Sequence, residues 1–134
     1  MTYRPVTIGR RTSLAEAGRL FEELRVGGLP VTEDGRLLGV LTRLDVLKAF
    51  AAVQEDRGGS YDEVMGTPAE AVMTVEPVTL GPATPLAEAL ETMIVTRCGY
   101  VAVVFGALLV GILTRTDVAR ALRTAAGGRL GRVA

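Results

Sequence analysis

Two threonine–aspartate pairs with the same spacing are the residues of this chain best suited to chemistry. Thr42 precedes Asp45 by three positions, and Thr114 precedes Asp117 by the same interval. Each pair begins a segment with helical periodicity, where unpaired backbone N–H groups and the positive end of the helix dipole favour a bound anion. Each carboxylate can also accept two hydrogen bonds from a cis-diol. The pattern therefore indicates a polar ligand site that occurs twice.

The same spacing has a structural interpretation, which the sequence leaves open. Thr-x-x-Asp is also a capping-box pattern, in which each side chain accepts a backbone N–H of the other residue. Arg43 and Arg115 follow the two threonines, although a cation in the first turn of a helix opposes the helix dipole. That mismatch favours a phosphate contact for these arginines, and the alternative is a solvated surface position.

The composition excludes several classes of function. The 134 residues contain no histidine and no tryptophan, and the formal net charge is zero. Without histidine there is no histidine base, nucleophile or metal ligand, and zero net charge argues against general binding to nucleic acid or a membrane surface. The single cysteine, Cys98, cannot form an internal disulfide. We therefore expect a cytoplasmic protein that is not an enzyme and has no catalytic residue, metal site or cofactor.

An internal repeat supplies the elements that position the two pairs. Residues 1–49 align with 73–121 without a gap, and 22 of the 49 positions are identical. Hydrophobic periodicity predicts the order β-α-β-β-α in each copy. The predicted α/β (α+β) fold packs the two copies sheet to sheet about a pseudo-twofold axis, which places equivalent residues around a shared cleft. The predicted divisions are repeat 1 over 1–54, a connector over 55–67, repeat 2 over 68–125 and a C-terminal tail over 126–134.

The element boundaries follow from capping and turn residues. In repeat 1 we expect a strand over 6–8, a helix capped by Thr12 and ended by Gly27-Gly28, strands over 29–32 and 37–41, and a helix after Thr42. Repeat 2 should have a strand over 78–80, a helix over 85–96, strands over 101–104 and 108–113, and a helix over 115–125. A capping box at 67–70 predicts a short helix through Met73, and the glycine-rich residues 127–131 should be frayed.

These features together resemble the CBS domain, named after cystathionine β-synthase, whose tandem pairs are called Bateman modules. The resemblance covers about 1–54 and 66–125. It depends on the β-α-β-β-α order, the tandem copy, and the segment Gly-hydrophobic-hydrophobic-Thr-x-x-Asp-Val at 39–46 and again at 111–118. The opening Met-Thr-x-x-Pro-Val-Thr, present at 1–7 and 73–79, is also similar to the entry of such a domain.

The resemblance implies an adenosine ligand, such as AMP, ADP, ATP or S-adenosylmethionine, in the cleft between the repeats. The implied contacts are the ribose hydroxyls for Asp45 and Asp117, with Thr42 and Thr114 near ribose and phosphate. Further implied contacts are the first strands (Thr7, Ile8, Thr79, Leu80) and the walls around the base (Leu29, Pro30, Val101, Ala102). To these the sequence adds Arg43 and Arg115 for phosphate and Tyr100 as a residue that could stack on a base.

The resulting functional hypothesis is a ligand-sensing regulatory module that forms a homodimer and acts on an unknown effector protein. Wide apolar stripes on the helices over 85–96 and 115–125 favour self-association. The alternative is a structural or interaction module, or a regulatory fragment excised from a transporter or metabolic enzyme, with no bound nucleotide.

Overall fold

A computed structural model describes residues 1–55, 61–124 and 131–134, apart from the side chains of 53–55. The loop expected over 56–60 lies outside the described residues. The chain divides into two compact units. Unit I is Val6–Glu76, and unit II combines Met1–Pro5 with Pro77–Ala134. The first five residues therefore belong to the unit that contains the second repeat.

The elements have the mixed α+β character that the sequence predicts. In chain order they are β1 (Thr2–Tyr3), α1 (Leu14–Leu24), β2 (Gly28–Glu33), β3 (Arg36–Thr42), α2 (Arg43–Glu55), α3 (Tyr61–Met65), β4 (Thr79–Leu80), α4 (Leu86–Thr96), β5 (Tyr100–Phe105), β6 (Leu108–Thr114) and α5 (Arg115–Thr124). None of the helices described is both long enough and apolar enough to cross a membrane.

Unit I is built on the antiparallel hairpin of β2 and β3. Its turn residues Asp34 and Gly35 both have positive φ, 51° and 78°, as a two-residue hairpin turn with the right-handed strand twist requires. The strand expected over 6–8 is reduced to one parallel bridge between Ile8 and Val31. The Ile8 N–H donates to the Pro30 carbonyl at 2.9 Å, so this short segment still extends the hairpin.

Helix α1 covers the hairpin as its periodicity predicts, with Leu14, Ala17 and Phe21 buried. Both predicted ends were wrong. The N-cap is Ser13, whose hydroxyl oxygen accepts the Glu16 N–H at 3.2 Å. The helix ends at Leu24, and its C-cap, two residues before Gly27, is Arg25, which adopts the left-handed conformation with φ 53°.

The described part of the connector contains α3, a helix that the sequence did not predict. The predicted capping box at 67–70 was wrong. Thr67 instead donates its hydroxyl to the Glu63 carbonyl at 2.9 Å, and Pro68 takes the N-cap position of a short 3₁₀ helix, Ala69–Ala71, without a side-chain cap.

Unit II contains a four-stranded sheet. Strand β4 pairs in parallel with β5, and β5 pairs antiparallel with β6. Strand β1 pairs with the opposite edge of β6, where Tyr3 faces Gly111. A Cβ on Gly111 would stand 2.7 Å from the Thr2 carbonyl oxygen, so the close approach of β1 requires glycine.

The C-terminal residues complete the core of unit II. The Gly131 carbonyl accepts the Leu86 N–H at 2.8 Å, and the Val133 N–H donates to the Thr84 carbonyl at 2.9 Å. Val133 is buried in the cluster that contains Leu86 and Met93. The prediction that Gly131 is frayed was therefore wrong. The remainder of that predicted stretch, 127–130, lies outside the described residues.

Candidate functional site

Both threonine–aspartate pairs form reciprocal capping boxes. In unit I the Thr42 N–H donates to Asp45 Oδ2 at 2.9 Å, and the Asp45 N–H donates to Thr42 Oγ1 at 3.2 Å. In unit II the corresponding distances between Thr114 and Asp117 are 2.8 and 3.3 Å. Each box uses Oδ2 of its aspartate, so Oδ1 takes no part in the cap.

A third residue that the sequence did not reveal contacts the unit I pair. Thr74 Oγ1 lies 3.2 Å from both Oδ1 and Oδ2 of Asp45 and donates its hydroxyl to that carboxylate. The backbone of Thr74 is fixed by two hydrogen bonds to Val40, at 2.9 and 3.1 Å. Asp45 is the buried charged residue of the described core. The only sequence signal for Thr74 was its place in the repeated Met-Thr dipeptide.

The unit II pair has different surroundings. Thr2 occupies the position equivalent to Thr74, but among the described residues its hydroxyl has no hydrogen bond to Asp117. The ammonium group of Met1 lies 3.9 Å from Asp117 Oδ1. Asp117 is half-buried, whereas Asp45 is buried. The two carboxylates therefore have the same cap but different access and different third partners.

The other candidates of unit I lie on the strands that lead to Thr42. Thr7 is exposed beside the bridge residue Ile8, and Ile8 is bonded to Pro30. Leu29 pairs with Leu41, one residue before the cap. The side chains of Ile8, Leu29 and Pro30 are buried. Contact of Leu29 and Pro30 with a base, and of Ile8 with the ligand, stays a prediction that depends on backbone groups more than on the buried side chains.

The candidates of unit II have the same arrangement. Thr79 and Leu80 of β4 pair with Ala102 and Val103 of β5, and Val101 lies beside them in β5. Tyr100 faces Thr114 across the β5–β6 ladder, where unit I has Gly28 facing Thr42.

Tyr100 adds a neutral phenol next to the unit II cap. Burial raises the pKa of the Tyr100 hydroxyl well above its usual value, because the charged phenolate is poorly solvated there. A neutral phenol beside Thr114 can pack or contact a ligand.

The two arginines reach back to the preceding helices. Arg43 Nη2 donates to the Phe21 carbonyl in α1 at 3.4 Å, and Arg115 Nη2 donates to the Arg97 carbonyl at the end of α4 at 3.2 Å. A cation at the C-terminal end of a helix is favourable. These contacts give Arg43 and Arg115 a structural role that the sequence did not suggest, and their contact with phosphate stays a prediction.

No cluster that could hold a metal ion occurs among the described residues. In each unit the described residues around the cap offer one carboxylate, two cap hydrogen bonds and neutral strand residues. Such a set can accept hydrogen bonds from a polar ligand.

Comparison with known sequences gives a consistent result for both halves of the chain. Residues 1–52 and 69–124 match the model of the CBS domain. The CBS domain-containing protein YhcV of Bacillus subtilis is 31% identical over 119 residues, which cover 89% of this chain and 79% of YhcV.

Solved structures with a similar fold extend over nearly the whole chain. A crystal structure of CBSX2 in complex with AMP is 31% identical, covers 92% of each chain and has a TM-score of 0.79. Protein MJ1225 of Methanocaldococcus jannaschii, described as a candidate archaeal homologue of γ-AMPK, is 25% identical with a TM-score of 0.83. The similarity covers 90% of this chain and 45% of MJ1225.

Proposed function

Because the chain belongs to the CBS domain family, we propose that it is a regulatory module that binds an adenosine ligand, with AMP as the first candidate. The observation that carries the proposal is the state of the two aspartates. Each capping box takes only Oδ2 from its carboxylate, so Oδ1 stays outside the cap and can accept a ribose hydroxyl, at Asp45 in place of the Thr74 hydroxyl. The AMP bound to the similar protein CBSX2 is the reason for choosing an adenosine ligand.

Within each unit the proposed ligand contacts come from the strand ends around the cap. Asp45 and Asp117 accept the ribose hydroxyls, and the backbone N–H groups of Thr42 and Thr114 hold those carboxylates in place. Thr7 and Thr79 are exposed beside the paired strands and are positioned to meet ribose or phosphate. Tyr100 gives unit II an aromatic ring that unit I lacks.

The proposed module is cytoplasmic and non-enzymatic, and it signals by a change of conformation. A ligand that binds one conformation better than another shifts the population toward it, and an effector protein detects the shift. We include a homodimer in the proposal, because exposed apolar side chains on α4 and α5 such as Ile94 and Leu122 fit an interface with a second copy.

A second candidate function is a structural or interaction module with no nucleotide. One observation favours it: both caps are satisfied without a ligand, and no buried side-chain nitrogen or oxygen lacks a partner in the part of the chain that the structure describes. Such a protein would need Asp45 and Asp117 only for the stability of α2 and α5.

A thermal-shift series with AMP, ADP, ATP, S-adenosylmethionine and NAD separates the two functions. A ligand at 100 times its Kd should add about 2.7 kcal/mol to the free energy of unfolding. The double variant Asp45→Ala/Asp117→Ala should lose this gain, whereas Glu91→Ala, which removes an exposed carboxylate of α4, should keep it. If no ligand raises the melting temperature of the wild type, the structural alternative is correct.

A further inference from the structure

The third hydrogen-bond partner of Asp45 bears on how the unit I site is regulated. We propose that Thr74 is a built-in competitor for the ribose-binding face of Asp45, and that loss of its hydroxyl tightens nucleotide binding in unit I. This inference depends on the proposed function, since it concerns the same carboxylate.

The acceptor geometry is the first argument. The two oxygens of a carboxylate offer about four lone-pair directions. Oδ2 accepts the Thr42 N–H at 2.9 Å, and the Thr74 hydroxyl straddles both oxygens at 3.2 Å. A cis-diol that donates one hydrogen bond to each oxygen needs the edge of the carboxylate where the Thr74 hydroxyl stands. The single hydroxyl of Thr74 therefore occupies the place that two ligand hydroxyls would take.

The backbone of Thr74 is held against β3, so that only its side chain can move. Its N–H and C=O pair with Val40 at 2.9 and 3.1 Å. A Cβ on Gly39 would come within 2.7 Å of the Thr74 carbonyl oxygen, so the strand contact is close. The backbone of Thr74 is thus fixed, and the hydroxyl yields to a ligand by rotation about χ1, between staggered positions. The competition is reversible and does not require the segment to leave β3.

The position of Thr74 in the chain gives the competition a consequence. Thr74 lies in the segment that leads from the connector to Pro77, where repeat 2 continues. A ligand that takes Asp45 from Thr74 removes the side-chain hydrogen bond that ties this segment to α2. Occupancy of Asp45 therefore changes the hydrogen bonding of the segment that ends unit I at Glu76, whereas a cap without Thr74 would leave this segment unaffected.

Unit II provides a matched internal control. Thr2 pairs with β6 as Thr74 pairs with β3, but in the described chain the Thr2 hydroxyl makes no hydrogen bond to Asp117. Removal of the Thr2 hydroxyl should therefore leave nucleotide affinity unchanged.

The experiment measures the Kd of AMP by calorimetry in the Asp117→Ala background, so that only the Asp45 site is observed. Thr74→Val removes the hydroxyl and keeps the side-chain shape, and Thr74→Ser retains the hydroxyl. Thr2→Val is the control and is measured in the Asp45→Ala background, so that only the Asp117 site is observed there and each variant is compared with its own parent. We expect Thr74→Val to bind AMP about five- to tenfold more tightly, as release from one hydrogen bond to a charged group allows. Thr74→Ser and Thr2→Val should match their parents.

The affinity of Thr74→Val for AMP decides whether Thr74 competes with the ligand. Unchanged or weaker binding by Thr74→Val overturns the competition while the proposed function stands, because a merely supporting threonine would lower the affinity when removed. Binding by Thr74→Val but not by the parent supports the competition and contradicts nucleotide binding by wild-type unit I. If neither the parent nor Thr74→Val binds AMP, the competition is overturned. The Kd of AMP at the Asp117 site is then measured separately in the Asp45→Ala variant.

Discussion

The same aspartate can cap a helix and accept a ligand because the two tasks use different lone pairs. The capping box takes Oδ2 of Asp45 and of Asp117, and the cap holds each carboxylate in one orientation. A ligand then meets an acceptor whose conformational freedom is already restricted, which lowers the entropic cost of binding.

Asp45 and Asp117 should differ in their contributions to stability. Asp45→Ala removes a cap and also the hydrogen bond that the Thr74 hydroxyl donates to this buried carboxylate, so we expect a loss of about 2–3 kcal/mol in the free energy of unfolding. Asp117→Ala removes a cap from a half-buried position and should cost about 1 kcal/mol. Urea denaturation without ligand measures both, and an equal loss in the two variants would contradict the role assigned to Thr74.

Whether a contact of a site residue could be predicted from the sequence depends on how far apart the two partners lie along the chain. The Thr42–Asp45 cap spans three residues, so its spacing revealed it. Thr74 meets Asp45 across 29 residues, and Arg43 meets Phe21 across 22. Such contacts depend on the tertiary fold, and no local pattern encodes them. Because their contacts with distant carbonyl groups could not be predicted, Arg43 and Arg115 were interpreted as phosphate ligands.

At the scale of elements, periodicity located the long helices and the paired strands within a few residues. It failed where a segment is too short to have a period. Helix α3 has five residues, and the C-terminal segment has one buried apolar residue, Val133. The helix ends failed for a different reason. Arg25 and Arg97 both adopt left-handed φ, 53° and 56°, although glycine is the residue that usually signals this conformation.

The C-terminal segment should contribute measurably to the stability of unit II. Val133→Ala removes a buried side chain from the cluster of Leu86 and Met93, and we expect a loss of about 1–3 kcal/mol. Arg132→Ala alters an exposed neighbour and should change stability by less than about 0.5 kcal/mol. The test is urea denaturation of both variants. Equal midpoints would show that the docked segment adds nothing.

At the scale of the whole molecule, the helices of unit II leave an apolar groove uncovered. A cavity of about 470 Å³ lies between α4 and α5, with Met93, Ile94 and Leu122 in its lining. Ile94 is 67% exposed, which is unusual for a large apolar residue beside other apolar side chains. A second copy of the chain would remove this surface from water.

We therefore expect a homodimer in solution. Light scattering at tens of micromolar protein should give about twice the 14.1 kDa of one chain, as twofold dimers are the commonest soluble assembly. Ile94→Glu should shift the mass toward the monomer, because it places a charge in an apolar contact, whereas Glu91→Ala on the same helix should not. A mass near 14.1 kDa for the wild type would contradict the dimer.

The central claim is that the two capping aspartates also receive the hydroxyls of a ribose. Calorimetric titration of the wild-type protein with AMP and with 2′-deoxy-AMP tests it most directly, since the two ligands differ by one hydroxyl of the cis-diol. We expect AMP to bind about 10- to 100-fold more tightly than 2′-deoxy-AMP, because a hydrogen bond to a charged group contributes about 1.5–3 kcal/mol. Equal affinities for the two nucleotides would contradict the contact between the aspartates and the ribose, and Asp45 and Asp117 would then only cap α2 and α5.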